Sequence, residues 1–130
     1  MKKALIILAV AGYFSACTND NLEELHPPCD TTVVVSFAND LLPIFAGNCS
    51  NTDGACHADA SAEGNVGLAN YNDVMDYLQT GADDTTFVQT ITHDPDLSSS
   101  LHMPKNQSAK MDACNIMKIQ AWINRGKLNN

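Results

Sequence analysis

Asp112-Ala113-Cys114-Asn115-Ile116-Met117-Lys118-Ile119-Gln120-Ala121-Trp122-Ile123-Asn124-Arg125-Gly126 is the stretch on which the fold class turns. Ile116, Ile119 and Ile123 recur at helical spacing, and Asp112 stands where an N-cap is wanted. Lys118 and Arg125 come late, and Gly126 follows. This is an amphipathic helix marked at both ends. Its apolar face needs another element to cover it.

Further toward the N-terminus the same pattern recurs in shorter pieces. Asp94 to Lys110 holds two prolines and many polar residues, which predicts irregular backbone. Thr85 to Thr92 carries Phe87, Val88 and Ile91 on one helical face and ends at His93-Asp94-Pro95. Asn70 is placed to cap a helix from Tyr71 to Gln79, with Val74, Met75 and Leu78 inward and Gly81 closing it. Ser36 to Asn48 spaces Phe37, Leu41, Ile44 and Phe45 almost as a helix does, with Pro43 tolerated near the start of a turn. Val33-Val34-Val35 reads as a short extended piece, and Ser50 to Gly67 as loop. The expectation is a small all-α domain. Helices this short leave little core, so such a domain ordinarily needs a disulfide, a metal or a cofactor.

The N-terminus reads as a targeting segment. Lys2 and Lys3 precede an apolar run from Ala4 to Phe14, too short to span a bilayer as a mature helix. Phe14-Ser15-Ala16-Cys17 reads like the lipobox of a bacterial lipoprotein, with Cys17 as the lipid-modified N-terminus after cleavage. The bland alternatives are an ordinary signal peptide cut nearby and a buried apolar helix. Residues 1–16 are thus expected to be a signal peptide, 17–32 a lipid-anchored tether that includes Pro27-Pro28, and 33–130 the domain. Thr18 after the cysteine favours an outer-membrane, periplasmic-side location. Lipid chains gain about 0.8 kcal/mol per buried CH₂, so more than one makes the anchor stable.

Cleavage removes two of the seven basic residues and none of the fifteen acidic ones, leaving five against fifteen and a formal charge of −10. Such a surface argues against nucleic acid, whose binding needs Lys and Arg on phosphates, and suits partners with basic faces. With Cys17 lipidated, four cysteines remain: Cys29, Cys49, Cys56 and Cys114. Four cysteines alone permit three connectivities.

Cys49-Ser-Asn-Thr-Asp-Gly-Ala-Cys56-His57 is the segment that carries chemistry. In covalent haem attachment two cysteine sulfurs bond to the porphyrin's former vinyl groups and the histidine after the second becomes the proximal ligand. Two residues usually separate the cysteines; here there are six, all small or turn-forming, so an outward bulge costs little. A Cys49–Cys56 disulfide is the strongest competitor. Zinc would need two further ligands at short spacing, and His93 and His102 are distant. A calcium loop fails because its first position is Cys49 and no Glu closes it at Ala60. Spacing alone leaves haem attachment and disulfide level.

Downstream, Met103 precedes Pro104 in irregular chain, and a methionine thioether is a common second axial ligand of haem. From about Cys29 to Asn130 the chain resembles the small cytochrome c-like lipoproteins and domains of Bacteroidetes-type bacteria. The resemblance rests on Cys29-Asp30-Thr31-Thr32, Leu42-Pro43-Ile44-Phe45, Cys49…Cys56-His57, Leu68-Ala69-Asn70-Tyr71, Thr92-His93 and Met103-Pro104-Lys105. It ends on Cys114 through Trp122-Ile123 to Gly126. It implies a helical domain packed around one covalently bound haem c. Cys49 and Cys56 would be the thioether cysteines, His57 the proximal ligand, Met103 the distal one, and Cys29–Cys114 a disulfide. It implies a one-electron carrier rather than an enzyme. The six-residue gap departs from the family's usual two, so Cys56-His57 can hold haem through one bond with Cys49 free.

Rival readings are a haem-free binding or structural lipoprotein held by two disulfides, and a haem peroxidase with Met103 unbound. His102 and His93 are alternative distal ligands, His93 otherwise a polar loop residue or a partner for a haem propionate. Met75, Met111 and Met117 read as core filler, Trp122 as core, and Lys105, Lys110 and Lys118 as solvated surface.

Overall fold

The computed structural model describes residues 29–49, 56–58, 63–105 and 109–130. The expected signal peptide, Cys17, the expected tether from Thr18 to Pro28 and the expected bulge from Ser50 to Ala55 lie outside them. Among the described residues the chain is all-α, with four α-helices and no strand. They are α1 (Leu42–Asn48), α2 (Tyr71–Asp76), α3 (Asp84–Thr92) and α4 (Ala113–Asn124). A π-helical turn, Phe37–Leu41, leads into α1, and another, Tyr77–Gly81, continues α2.

Side chains set each start. Before α1, the Ser36 hydroxyl accepts from the Asn39 N–H at 3.2 Å while the Ser36 N–H donates to the Asp40 carboxylate at 2.9 Å. That exchange satisfies donors which an uncapped first turn leaves open. Pro43 sits in the first turn of α1, where its missing N–H costs nothing. Asn70 caps α2 by accepting from Asp73, and Asp112 caps α4 by accepting from Cys114 and Asn115. Asp83, unnoticed in the sequence, caps α3; its bond from the Thr86 N–H holds its carboxyl below the usual carboxylate range.

Gly81 closes its turn for a different reason from the one expected. It does not take the left-handed conformation; a Cβ there would lie 2.6 Å from the Tyr77 ring, so only glycine fits beside it. Gly126, after α4, does have a positive φ, of 90°.

Aromatic rings join the elements. Phe37 lies 5.6 Å from Trp122 of α4, 5.2 Å from Tyr71 of α2 and 6.3 Å from Phe45 of α1, centroid to centroid. Phe45 in turn lies 6.3 Å from Phe87 of α3, which Tyr77 meets edge-on at 6.1 Å. Such pairs add to the gain from area burial, and truncating one buried ring typically costs about 3–5 kcal/mol. The polar ends are satisfied: Trp122 Nε1 donates to the Leu128 carbonyl and the Tyr71 hydroxyl to that of Lys127, both at 2.8 Å.

Two surface details depart from the sequence reading. Met111 is buried at 4% and Met75 packs on the core, but Met117 is 44% exposed and fills nothing. It falls between Ile116 and Lys118 on the outer side of α4, whose inner side is Ile116, Ile119 and Trp122. Lys118, expected as free surface, is bonded to Asp40 at 2.9 Å across to the turn before α1. Val33 and Val34 are each 59% exposed, and only Val35 enters the core.

The ends of the described chain are fastened together. Cys29 and Cys114 form a disulfide, with Cα atoms 5.3 Å apart and a sequence separation of 85. The Arg125 guanidinium donates to the carbonyls of Thr31, Thr32 and Val33. The Ser36 hydroxyl and Ala38 N–H donate to the Asn130 carbonyl, and the Phe37 N–H to its Oδ1. Thus Cys29 to Thr32, tether by composition, are bonded to the helical body.

Candidate functional site

Cys49 is the C-cap of α1, its N–H donating to the Phe45 carbonyl at 2.8 Å. Its own carbonyl accepts from the His57 N–H at 3.2 Å, which makes Cys49 and His57 neighbours. The residues named from sequence as Cys49, Cys56 and His57 are thereby brought to one corner. Both cysteines are half-buried free thiols, and neither forms a disulfide. The Cys49–Cys56 cross-link that competed with haem attachment is therefore not formed in this structure. Burial, and next the neighbouring Cys56, push the Cys49 thiol up to about 12. It stays protonated at neutral pH.

His57 is held at three points. Besides its N–H, its carbonyl accepts from the Leu68 N–H at 2.9 Å, and its Nδ1 lies 3.1 Å from the Val66 carbonyl. A carbonyl only accepts, so Nδ1 carries the hydrogen and the neutral ring keeps its lone pair on Nε2. This is how protein metal and haem ligands are commonly oriented: a second hydrogen bond fixes the tautomer and the ring plane. Sequence reasoning missed Val66, because a backbone acceptor leaves no mark in residue type.

The other expected ligands gather at the end of α3. His93 stops that helix in the left-handed conformation, φ 54° and ψ 50°, which histidine adopts more readily than bulkier residues. Met103 is half-buried; its N–H donates to the Thr90 carbonyl at 3.1 Å, and its peptide to Pro104 is cis. His93 Nε2 lies 3.0 Å from the Met103 carbonyl, and His102 Nε2 lies 3.0 Å from the Asp94 carbonyl. In both rings the nitrogen that His57 keeps open is a hydrogen donor. That distinguishes His57 chemically from both. The Phe45–Phe87 pair links the clusters, Phe45 one turn before Cys49 and Phe87 one turn before Thr90.

The residues suit covalent haem: two free thiols at one corner, an imidazole with Nε2 as its basic nitrogen, and a methionine whose backbone N–H is bonded to α3. Zinc would need further ligands beside Cys49, Cys56 and His57. Among the described residues no group of three or more His, Cys, Asp or Glu is placed to hold a metal ion. Among them, too, no helix is long and apolar enough to cross a membrane. No family profile, curated protein or solved structure matches the chain.

Proposed function

We propose that the protein is a lipid-anchored, extracytoplasmic electron carrier of cytochrome c-like type, with one haem c bound at Cys49, Cys56 and His57. The observation that carries this reading is His57: its ring is fixed through Val66 with Nε2 as the basic nitrogen, beside two unpaired cysteines. Bound haem supplies reversible one-electron exchange between Fe(III) and Fe(II). Cys49 and Cys56 would hold the porphyrin by thioethers, and His57 would ligate its iron. Met103 would be the second ligand to the iron, a role that favours a carrier over a peroxidase. A thioether also favours Fe(II), raising the potential relative to two imidazoles.

The acidic surface suits redox partners with basic faces, so electron transfer from such a partner slows as salt rises. Cys17 carries the lipid that attaches the domain to the membrane, on the periplasmic side of an outer membrane.

The deciding experiment is expression with a c-type haem maturation system, followed by a pyridine haemochrome spectrum and mass analysis of the Cys49–His57 peptide. The expected result is one haem per chain with two thioethers; one thioether would place the bond at Cys56 and leave Cys49 free. Colourless protein with Cys49 and Cys56 cross-linked would overturn the reading in favour of a haem-free, disulfide-held lipoprotein. In the haem-loaded protein, Met103→His keeps the haem and lowers the midpoint potential, by part of the about 0.8 V span that axial ligands command.

A further inference from the structure

We propose that His93 and His102 form a reciprocal clasp that positions Met103. Each imidazole bonds the backbone beside the other. His93 Nε2 donates to the carbonyl of Met103, the residue after His102, and His102 Nε2 donates to the carbonyl of Asp94, the residue after His93. The rings lie face to face, centroids 4.8 Å apart and 8° from parallel. The segment between them is closed at its two ends by these bonds and by the Met103 N–H to Thr90. Inside it the regular structure is one short turn, Ser99–Leu101.

The clasp's value follows from the chemistry of the sulfur. A thioether is a neutral, weak ligand on a flexible side chain, so the protein must supply its position. Two aromatic rings locked by donors and stacking define the Met103 backbone more sharply than a loop of serines and prolines does alone. His93 and His102 are therefore positioning residues. Their role as helpers of a ligand rests on the electron-carrier reading; their role in fixing the backbone of Met103 does not.

The test uses two substitutions at one position, in the full chain. His93→Asn accepts the left-handed backbone but is too short to reach Met103, whereas His93→Gln can reproduce the donor at Nε2. Amide hydrogen exchange at Met103 should rise about tenfold or more in His93→Asn and by clearly less in His93→Gln, which keeps the donor but not the stacked ring, with α4 amides unchanged in both. In haem-loaded protein, His93→Asn should lose the sulfur-to-iron charge-transfer absorption of the ferric state and shift the midpoint potential, while haem content stays constant. His93→Gln should retain both. Unchanged Met103 exchange in His93→Asn, or an intact charge-transfer band, would overturn the clasp. If the wild-type chain takes up no haem, the electron-carrier reading falls, and the exchange measurement still decides the clasp.

Discussion

Around Cys29 and Arg125 the chain is crossed by a disulfide, three guanidinium-to-carbonyl bonds and three bonds to Asn130. Among the described residues the corner of Cys49, Cys56 and His57 shows no such cross-link, only backbone hydrogen bonds and one imidazole contact. The first region spends its reactive groups on closing the fold. The second leaves two thiols free and a ring nitrogen with its lone pair open. The two cysteine pairs thus end in different states, one bonded and one free, and position in the fold is the cause.

The largest effect expected from this contrast is on stability. Replacing both Cys29 and Cys114 by Ser should remove about 4–5 kcal/mol, from the chain entropy of so long a closed loop, as read by urea unfolding. A loss below about 1 kcal/mol would mean that the Arg125 and Asn130 bonds close the fold unaided. Replacing both Cys49 and Cys56 by Ser in the haem-free chain should cost far less, because no cross-link is lost there.

Next comes the thiol itself. With Cys49 pushed up to about 12 against 9.0 for an ordinary thiol, its thiolate fraction at pH 8 is lower by about a thousandfold. Alkylation of Cys49 in the haem-free folded chain should therefore keep rising tenfold per pH unit through pH 10 and 11. A plateau near pH 9 would show that the corner is open to water. Linkage gives the matching sign for stability. The unfolded thiol ionises above about 9 while the folded one does not, so this group's contribution is intact below 9 and is lost as pH rises toward 12.

The smallest effect concerns Asp40 and Lys118, which tie the turn before α1 to α4. Lys118, then the Ser36 N–H, hold the Asp40 carboxyl below its usual range. Its stabilisation is present above the unfolded value of 3.8 and is lost as pH falls through the lower folded value. Both groups are partly solvated, so Lys118→Ala should cost less than about 1 kcal/mol at neutral pH and flatten the acid limb of stability. An unaltered acid limb would assign the Asp40 shift to Ser36 alone.

Much of the local structure was legible because it depends on near neighbours. Asn70 and Asp112 announce their helices through side chains that reach only two or three residues ahead. The break after Thr92 and the run from Asp94 to Lys105, irregular but for the Ser99–Leu101 turn, follow from His93-Asp94-Pro95 and Pro104 in the same way. Misreadings arose where a distant partner decides. Met117 has the composition of core but faces away from it, and Lys118 has the composition of surface but finds Asp40. At the site, Cys49, Cys56, His57 and Met103 stood out by type and order. The carbonyls of Val66 and Thr90 that orient two of them did not.

What the sequence by itself determined is a set of short, well-capped amphipathic helices and a Cys-His corner, since propensity, capping and periodicity act over a few residues. Tertiary structure decided which cysteines join, which imidazole keeps Nε2 basic, and which glycine is fixed by a neighbouring ring. Those outcomes depend on contacts between residues far apart in the chain, and a one-dimensional pattern carries no distance between them.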